Sequence, residues 1–212
     1  MTTNLDQRAA DPAPTTAPTA AGATVWLTGL PSAGKSTIAH ALAAELAAAG
    51  TRVQVLDGDE VRPYLSTELG FSKDHRDLNV TRIGYVARLL AGHGVVVLVP
   101  VIAPYAATRD RVRADHTSHG VRYAEVHVAT SLAVAESRDV KGLYAKARSG
   151  ELTGLTGLDD PYEAPADPDL VIDTAEVDLD ASVRLGRSLV ESLTAVAAAP
   201  SPGTDDDDKE SR

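Results

Sequence analysis

The sequence predicts an α/β fold of three layers, in which a mainly parallel sheet is covered by helices on both faces. Short β-branched runs alternate with longer stretches rich in Ala and Leu, and the predicted strands are apolar along almost their whole length. A strand that is buried on both faces needs apolar side chains on both, which is typical of parallel sheets. A glycine-rich segment, 29–34, joins the first predicted strand to the first predicted helix.

The predicted elements alternate in order along the chain. The first strand covers 23–28, and helix 36–49 follows it with Ile38, Leu42 and Leu46 spaced four apart on one face. The remaining elements are strand 52–56, helix 78–90, strand 95–99, helix 109–115, strands 122–128 and 170–172, and helix 180–196. Ligands of such sheets bind at the carboxyl ends of the strands, so we expect the loops after the first three strands to form the site.

Two terminal segments and one internal loop depart from this alternation. Residues 1–22 are rich in Pro, Ala and Thr, and residues 197–212 contain a run of four Asp within a sequence that resembles a protease-cleavage tag. Neither can bury enough apolar surface to fold, so both are expected to be disordered, which leaves 23–196 as one folded domain. The Gly- and Pro-rich loop 139–168 is long enough to predict a lid.

Composition excludes several classes of protein. The 212 residues include no Cys, which rules out disulfides, thiolate zinc sites and cysteine nucleophiles. The net charge of −10 argues against a nucleic-acid partner. No apolar run approaches the ~18 residues of a membrane span, and no export signal is visible. These observations predict a cytoplasmic protein without a membrane partner.

Residues 29–36 match the pattern G-x-x-x-x-G-K-[ST] between a strand and a helix. In such a P-loop the backbone N–H groups and the helix N-terminus face phosphate oxygens. Lys35 supplies a positive charge for the β- and γ-phosphates, and the Ser36 hydroxyl is placed to bind Mg²⁺. A chance glycine-rich turn is the alternative, but motif and context agree. The P-loop NTPase fold and ATP binding are therefore expected, with Gly29, Ser32, Ala33, Gly34, Lys35, Ser36 and Thr37 as the ATP-binding residues.

Two carboxylates follow the second predicted strand, in Asp57-Gly58-Asp59. One could belong to the Mg²⁺ shell, and the other could accept a proton from an attacking hydroxyl. Asp and Gly are also common turn residues, so a simple turn remains open as an alternative.

Basic and aromatic residues are concentrated after this motif. Arg62, Arg76 and Arg82 suggest an anionic substrate held by guanidinium groups, with a solvated helix face as the alternative. Lys141 in the predicted lid could close over phosphates. Trp26 is expected in the core, whereas Phe71 is expected to be exposed enough to stack on a base.

Taken together, the motifs resemble those of the adenylyl-sulfate kinase (APS kinase) family and occur in family order. They are 29–37, 57–62, 69–72, 76–79, 82–84, 102–105, 109–113, 141–148 and 157–163. The resemblance implies transfer of the ATP γ-phosphoryl group to the 3′-hydroxyl of adenosine 5′-phosphosulfate (APS), which gives PAPS and ADP in sulfate assimilation, with Mg²⁺ as the second cofactor. It also implies a homodimer.

The resemblance further implies a role for each matching residue. Lys35, Asp57 and Asp59 are the expected catalytic residues, and Ser36 and Asp57 the expected metal ligands. The expected substrate-binding residues are Asp59, Arg62, Phe71, Arg76, Asn79, Ile102, Ala103, Lys141, Gly154 and Leu155.

Several residues depart from the family pattern. Ala103 replaces a Ser, Ala106 an Arg, Thr108 an Asp, and Ser32 a Gly of the loop. Leu155 replaces a Phe that forms the second face of an adenine sandwich with the residue matching Phe71. Stacking on an aromatic ring is worth roughly 1–3 kcal/mol, so this change is expected to weaken APS binding by about tenfold or more. Two alternatives follow: a divergent kinase of specialised metabolism that phosphorylates another nucleotide or hydroxylated anion, and a non-catalytic nucleotide-binding regulator.

Overall fold

A computed structural model describes residues 21–195 of the chain. The predictions for the two terminal segments therefore lie outside the described residues, except at positions 21 and 22. The strands are β1 (Ala23–Thr28), β2 (Val53–Val55), β3 (Val96–Pro100), β4 (Arg122–Val128) and β5 (Leu170–Ile172). The helices are α1 (Lys35–Ala48), α2 (Gly58–Leu65), α3 (Lys73–Gly92), α4 (Ala106–Ser118), α5 (Leu132–Arg138), α6 (Leu143–Arg148) and α7 (Leu179–Thr194).

The five strands form one parallel sheet in the order β2-β3-β1-β4-β5, which confirms the predicted fold class. The central strand β1 pairs with β3 on one side and with β4 on the other. The chain crosses over β1 between β3 and β4, and such switch points open a crevice at the carboxyl ends of the strands. No helix among the residues described has the length and apolar character needed to cross a membrane.

Side chains of β1 alternate between two cores, as the pleat of a strand requires. Val25 and Leu27 pack with α1 and α7 on one face of the sheet. Trp26 packs with α3 and α4 on the other face and is fully buried, which confirms its predicted place in the core. The sheet is thus the middle layer of three.

The structure differs from the sequence prediction mainly at helix ends and in the short helices α2 and α5. The predicted helix 78–90 begins earlier, at Lys73, because the Ser72 side chain caps its first turn by accepting from the His75 N–H. Helix α2 was not predicted, since Asp57-Gly58-Asp59 is typical of a turn; instead Asp57 caps the helix by accepting from the Asp59 N–H. The predicted lid segment 139–168 contains the short helix α6.

Truncating Leu42 should destabilise the fold strongly. The side chain is 1% exposed in the α1–α7 core, and its Cδ2 atom lies 2.9 Å from where a Cβ on Gly186 would stand. We expect Leu42→Ala to lower the free energy of unfolding by about 2–5 kcal/mol, through lost burial and the cavity left behind. Urea denaturation measures this change. Leu185→Ala, at a leucine of α7 that is 41% exposed, is the control; equal effects of the two substitutions would contradict the prediction.

Candidate active site

A cavity of about 520 Å³ lies at the carboxyl edge of the sheet. Its walls come from the P-loop, the starts of α2, α3 and α7, the loops before α3 and after β3, and the end of α5 with the segment after it. Of the residues predicted from sequence, it is lined by Ser32, Ala33, Gly34, Lys35, Ser36, Thr37, Asp57, Asp59, Arg62, Phe71, Arg76, Asn79, Ile102, Ala103 and Lys141. Gly29, Gly154 and Leu155 are not among the lining residues.

The P-loop backbone adopts conformations that its glycines permit. Gly34 has a φ of 102° and caps α1, so that the first N–H groups of this helix face the cavity. A Cβ on Gly29 would lie 2.6 Å from the Val128 carbonyl oxygen, which leaves no room for another residue there. Ser32 is also left-handed, with a φ of 60°. These positive φ angles define the shape of the loop.

Lys35 is held inside this loop. Its Nζ atom donates to the carbonyl oxygens of Gly29, at 2.9 Å, and Leu30, at 2.7 Å. Burial lowers the pKa of Lys35 from its ordinary 10.5 to about 8, although Asp59 and Asp57 favour the charged form. A buried ammonium gains more than an exposed one from an incoming anion, because the carbonyl groups that it binds only partly replace its lost hydration.

Ser36 and Asp57 form a pair of oxygen donors beside Lys35. The Ser36 hydroxyl donates to Asp57 Oδ2 at 2.5 Å, and Asp57 is 6% exposed. Mg²⁺ prefers oxygen ligands and takes one or two from the protein, with the rest from phosphates and water. The pair fits that requirement. Within residues 21–195, no group of three or more His, Asp or Glu side chains is arranged to hold a metal ion without such help.

Asp59 lies at the mouth of the cavity, where Lys141 reaches it from the lid segment. Lys141 Nζ forms an ion pair with Asp59 Oδ2, although both side chains are more than half exposed. The adjacent Asp139 fixes the start of α6, because its carboxylate accepts from the N–H groups of Tyr144 and Ala145. Lys141 is thus anchored close to the P-loop.

Phe71 is 67% exposed, as the sequence predicted, and lines the cavity. The guanidinium of Arg62 lies 4.5 Å from the centre of its ring and donates to the carbonyl oxygens of Leu69 and Gly70. Arg62 therefore supports the loop that presents Phe71 as well as contributing positive charge to the cavity.

Arg76 connects two loops. Its Nε atom donates to the Phe71 carbonyl oxygen at 2.7 Å, and its terminal nitrogens donate to Thr156 Oγ1 and the Gly154 carbonyl oxygen. Asn79, one turn further along α3, has a buried Oδ1 atom with no hydrogen-bond partner in the described structure. Buried acceptors are normally paired, so this oxygen is available to a ligand.

Leu155 does not line the cavity, contrary to the expected position opposite Phe71. The side chain is 7% exposed and packs with Ala135 and Tyr144 in a separate apolar cluster. An apolar side chain gains more by this burial than by lying on an open wall. Gly154 reaches the site only through its carbonyl oxygen, which Arg76 binds.

The far end of the cavity, which was not predicted from the sequence, is formed by Arg138, Thr174 and the start of α7. Arg138 donates to Thr174 Oγ1 and to the Thr174 carbonyl oxygen, and Thr174 Oγ1 donates to the carbonyl oxygen of Ala33 in the P-loop. One signal was present: strand 170–172 ends just before Thr174, and parallel strands end at the same edge of the sheet.

Comparison with known proteins agrees with this site. Residues 21–173 match the family model described as adenylylsulphate kinase. A probable adenylyl-sulfate kinase of Synechocystis sp. is 54% identical over 171 residues, covering 80% of this chain and 94% of the relative. The adenylyl-sulfate kinase of Myxococcus xanthus is 52% identical over 163 residues, which are 75% and 88% of the two chains.

Solved structures lead to the same conclusion. The APS kinase of Mycobacterium tuberculosis in complex with AMPPNP and APS is 44% identical, covers 80% of this chain and 98% of its own, and has a TM-score of 0.78. The hexameric APS kinase from Thiobacillus denitrificans is 38% identical, with a TM-score of 0.62 over 82% of this chain and 29% of its own. The chain therefore belongs to the adenylylsulphate kinase family.

Proposed function

We propose that the protein transfers the γ-phosphoryl group of ATP to the 3′-hydroxyl of APS, which gives PAPS and ADP. The observation that carries the proposal is a single cavity that runs from the P-loop to Phe71 and has Lys35, Asp59 and Arg62 on its walls. The M. tuberculosis relative was solved with AMPPNP and APS, which are a triphosphate mimic and the acceptor. A donor and an acceptor nucleotide both need such a continuous site for direct transfer.

The ATP phosphates would lie along residues 29–37, with the base towards Arg138 and Thr174. Lys35 would leave the carbonyl oxygens that it binds and contact the β- and γ-phosphates. Ser36 and Asp57 would hold Mg²⁺, which, when bound, neutralises charge that develops on the phosphates. The buried Ser36–Asp57 pair supports this assignment.

Asp59 would accept the proton of the 3′-hydroxyl while that oxygen bonds to the γ-phosphorus and the bond to ADP breaks. Lys141, now paired with Asp59, would turn to the transferring phosphate. Arg62, Asn79, Ile102 and Ala103 would contact APS directly, with Phe71 against its base. Arg76 would hold the Phe71 and Gly154 loops in place, while Leu155 would act only by packing beneath them. Ala103 has no hydroxyl, so no phosphoserine forms there.

Phe71 should contribute strongly to acceptor binding. We expect Phe71→Ala to raise KM for APS roughly tenfold, because a base loses its stacking partner, and to leave KM for ATP unchanged. Steady-state kinetics at saturating ATP measures the effect. Tyr64→Ala removes another aromatic ring, which is 87% exposed and does not line the cavity, and should change neither constant. A KM for APS that Phe71→Ala leaves unchanged would place the base elsewhere.

Nucleotide binding should take up a proton in mildly alkaline solution. Unliganded Lys35, with its pKa of about 8, is largely neutral at pH 9, and bound phosphates restore its charge. Calorimetry of ADP binding at pH 9, in two buffers of different ionisation enthalpy, should show uptake that Lys35→Met abolishes and that is small at pH 7. In the unfolded chain Lys35 keeps its proton up to about pH 10.5. Between about pH 8 and pH 10.5 the unfolded state therefore binds more protons than the folded state, so the contribution of Lys35 to the free energy of unfolding of the ligand-free protein rises with pH. Equal uptake in the variant would contradict the assignment.

A second candidate function is phosphorylation of a different hydroxylated anion. It is favoured by the departures at Ala103, Ala106 and Thr108 on the acceptor side, while the G-x-x-x-x-G-K-[ST] pattern of the P-loop is retained. A coupled ADP-release assay with Mg-ATP and equal concentrations of APS, AMP and other 5′-nucleotides decides between the two. We expect APS to be the best acceptor by a wide margin, with PAPS identified by mass. No turnover of saturating APS would reject the proposed function.

We also propose that the protein forms a homodimer. Three apolar side chains of α3, those of Leu78, Tyr85 and Leu89, are at least 40% exposed, which supports an interface on this helix. Light scattering measures the mass in solution, and a monomer at high concentration would reject this proposal.

A further inference from the structure

Arg109 is a buried arginine of α4 that does not line the cavity, yet it binds the cavity wall. Its side chain is 2% exposed, and its Nε atom donates to Glu125 Oε1 at 2.6 Å. One terminal nitrogen donates to the Ala103 carbonyl oxygen at 2.8 Å, and the other to the Glu163 carbonyl oxygen at 2.7 Å. The fixed fork of a guanidinium thus joins two separate segments of backbone.

The first of these segments is the cavity wall at Ile102 and Ala103. Ala103 has a φ of 44°, which is uncommon for a residue with a Cβ atom and persists only where surrounding contacts fix it. Thr28 Oγ1 donates to the Ile102 carbonyl oxygen at 2.6 Å, and Arg109 binds the next carbonyl. Two side chains outside the cavity thus hold successive peptide groups of the wall.

The second segment packs against the first. The Glu163 N–H donates to the Pro104 carbonyl oxygen at 2.8 Å, and Glu163 Oε2 accepts from the Ala106 N–H at 2.7 Å. Segment 157–163 lies within the predicted lid, 139–168, and is named the lid base. Arg109 therefore bonds both to the acceptor wall and to the lid base, and Thr28 does so as well, through the Ile102 carbonyl oxygen and the Tyr162 hydroxyl.

We propose that Arg109 is a positioning residue for the acceptor, which acts by holding Ala103 in its left-handed conformation and the lid base against the wall. Glu125 orients the guanidinium and balances its charge. The inference rests on the proposed function, because Ile102 and Ala103 are the wall at which APS would bind. The donor site is formed by other elements, so the effect of Arg109 is directed at the acceptor.

The substitution Arg109→Lys separates a positioning role from a role in stability, because lysine cannot reproduce the forked guanidinium. Arg109→Lys keeps the charge beside Glu125, but its donors share one nitrogen, so it cannot reach Glu125 and both carbonyl groups as the guanidinium fork does. We expect its KM for APS to rise about tenfold, the loss typical of a charged hydrogen bond, and its KM for ATP to stay unchanged. Adding Ala103→Gly should restore much of the APS affinity, because glycine adopts positive φ without help. Arg111→Lys, at an exposed arginine of the same helix, is the matched control.

Hydrogen exchange gives a readout that does not depend on the substrate. In Arg109→Lys, the Ala106 and Glu163 amides should exchange about tenfold faster, while the Ile38 amide, bonded to the Gly34 carbonyl oxygen, should be unaffected. An unchanged KM for APS, an equal rise in both KM values, or unchanged exchange would overturn the proposal. If neither Arg109→Lys nor the double variant folds, Arg109 serves stability alone and the proposal is wrong. Failure of the wild-type protein to phosphorylate APS would reject the proposed function, and the exchange result would still decide the role of Arg109.

Discussion

Asp59→Asn should reduce kcat for APS phosphorylation by a factor of about 10²–10⁴, the usual contribution of a positioned proton acceptor. Asn is similar in shape but cannot take the proton of the attacking hydroxyl. Asp59 faces the cavity mouth on α2, next to the buried Ser36–Asp57 pair. Because the P-loop is untouched, ATP affinity should change little, and the loss should appear in kcat.

Rapid-quench measurement of a single turnover tests this prediction directly, since it isolates phosphoryl transfer from product release. Glu60→Gln is the matched control, because Glu60 is the next acidic residue of α2 and does not line the cavity. It should retain wild-type turnover. The Asp59 ion pair with Lys141 adds a second comparison: Lys141→Met should lower kcat without removing the proton acceptor. A variant Asp59→Asn with near-wild-type turnover would mean that water or phosphate takes the proton.

The phosphate end of the site could be predicted from the sequence because its residues are contiguous. Gly29 to Thr37 form one strand-to-helix turn, so the chain order already places Lys35 beside the loop carbonyl groups. The carboxylates of Asp57 and Asp59 were equally accessible, since parallel strands end at a common edge. What the sequence did not show is that Asp57 also caps α2, because the same three residues are typical of a turn.

The acceptor end was predicted less well because it depends on packing between distant segments. Leu155 was expected opposite Phe71, but the apolar cluster around Tyr144 buries it. Arg76 was expected to bind the substrate, and the structure shows its donors engaged by Thr156 and two carbonyl groups. Arg76 and Thr156 are 80 residues apart in the sequence. Such a contact depends on how the two loops fold, so it leaves no periodic signal in the sequence.

These two findings change what the family departures mean. With Leu155 outside the cavity, its effect on APS must pass through the loop that Arg76 holds, and Phe71 remains as the aromatic ring on the wall. Ala103 keeps a left-handed backbone without the hydroxyl of the family residue. The shape of the wall therefore depends on its backbone conformation. Thr28 and Arg109, which lie outside the cavity, maintain this conformation by donating to the carbonyl oxygens of Ile102 and Ala103. The departures are thus compatible with an intact acceptor site.

Lys35→Met should abolish most activity with APS and with any other acceptor, because the donor phosphates lose their buried cation. Removing one such group from a water-excluded site costs about 10²–10³ in kcat, and ATP affinity should fall as well.

Met keeps the length and apolar stem of Lys, so the fold should tolerate it. The Lys35 ammonium donates to loop carbonyl groups, and the buried carboxylate of Asp57 keeps its hydrogen bonds from Ser36 and from the Asp59 N–H when Lys35 is replaced. Lys146→Met, at an exposed lysine of α6 outside the cavity, is the control. The decisive measurement is the ADP-release assay with binding of ATP followed in parallel: if Lys35→Met retains both turnover and affinity, the P-loop is not the donor site and the proposed function is wrong.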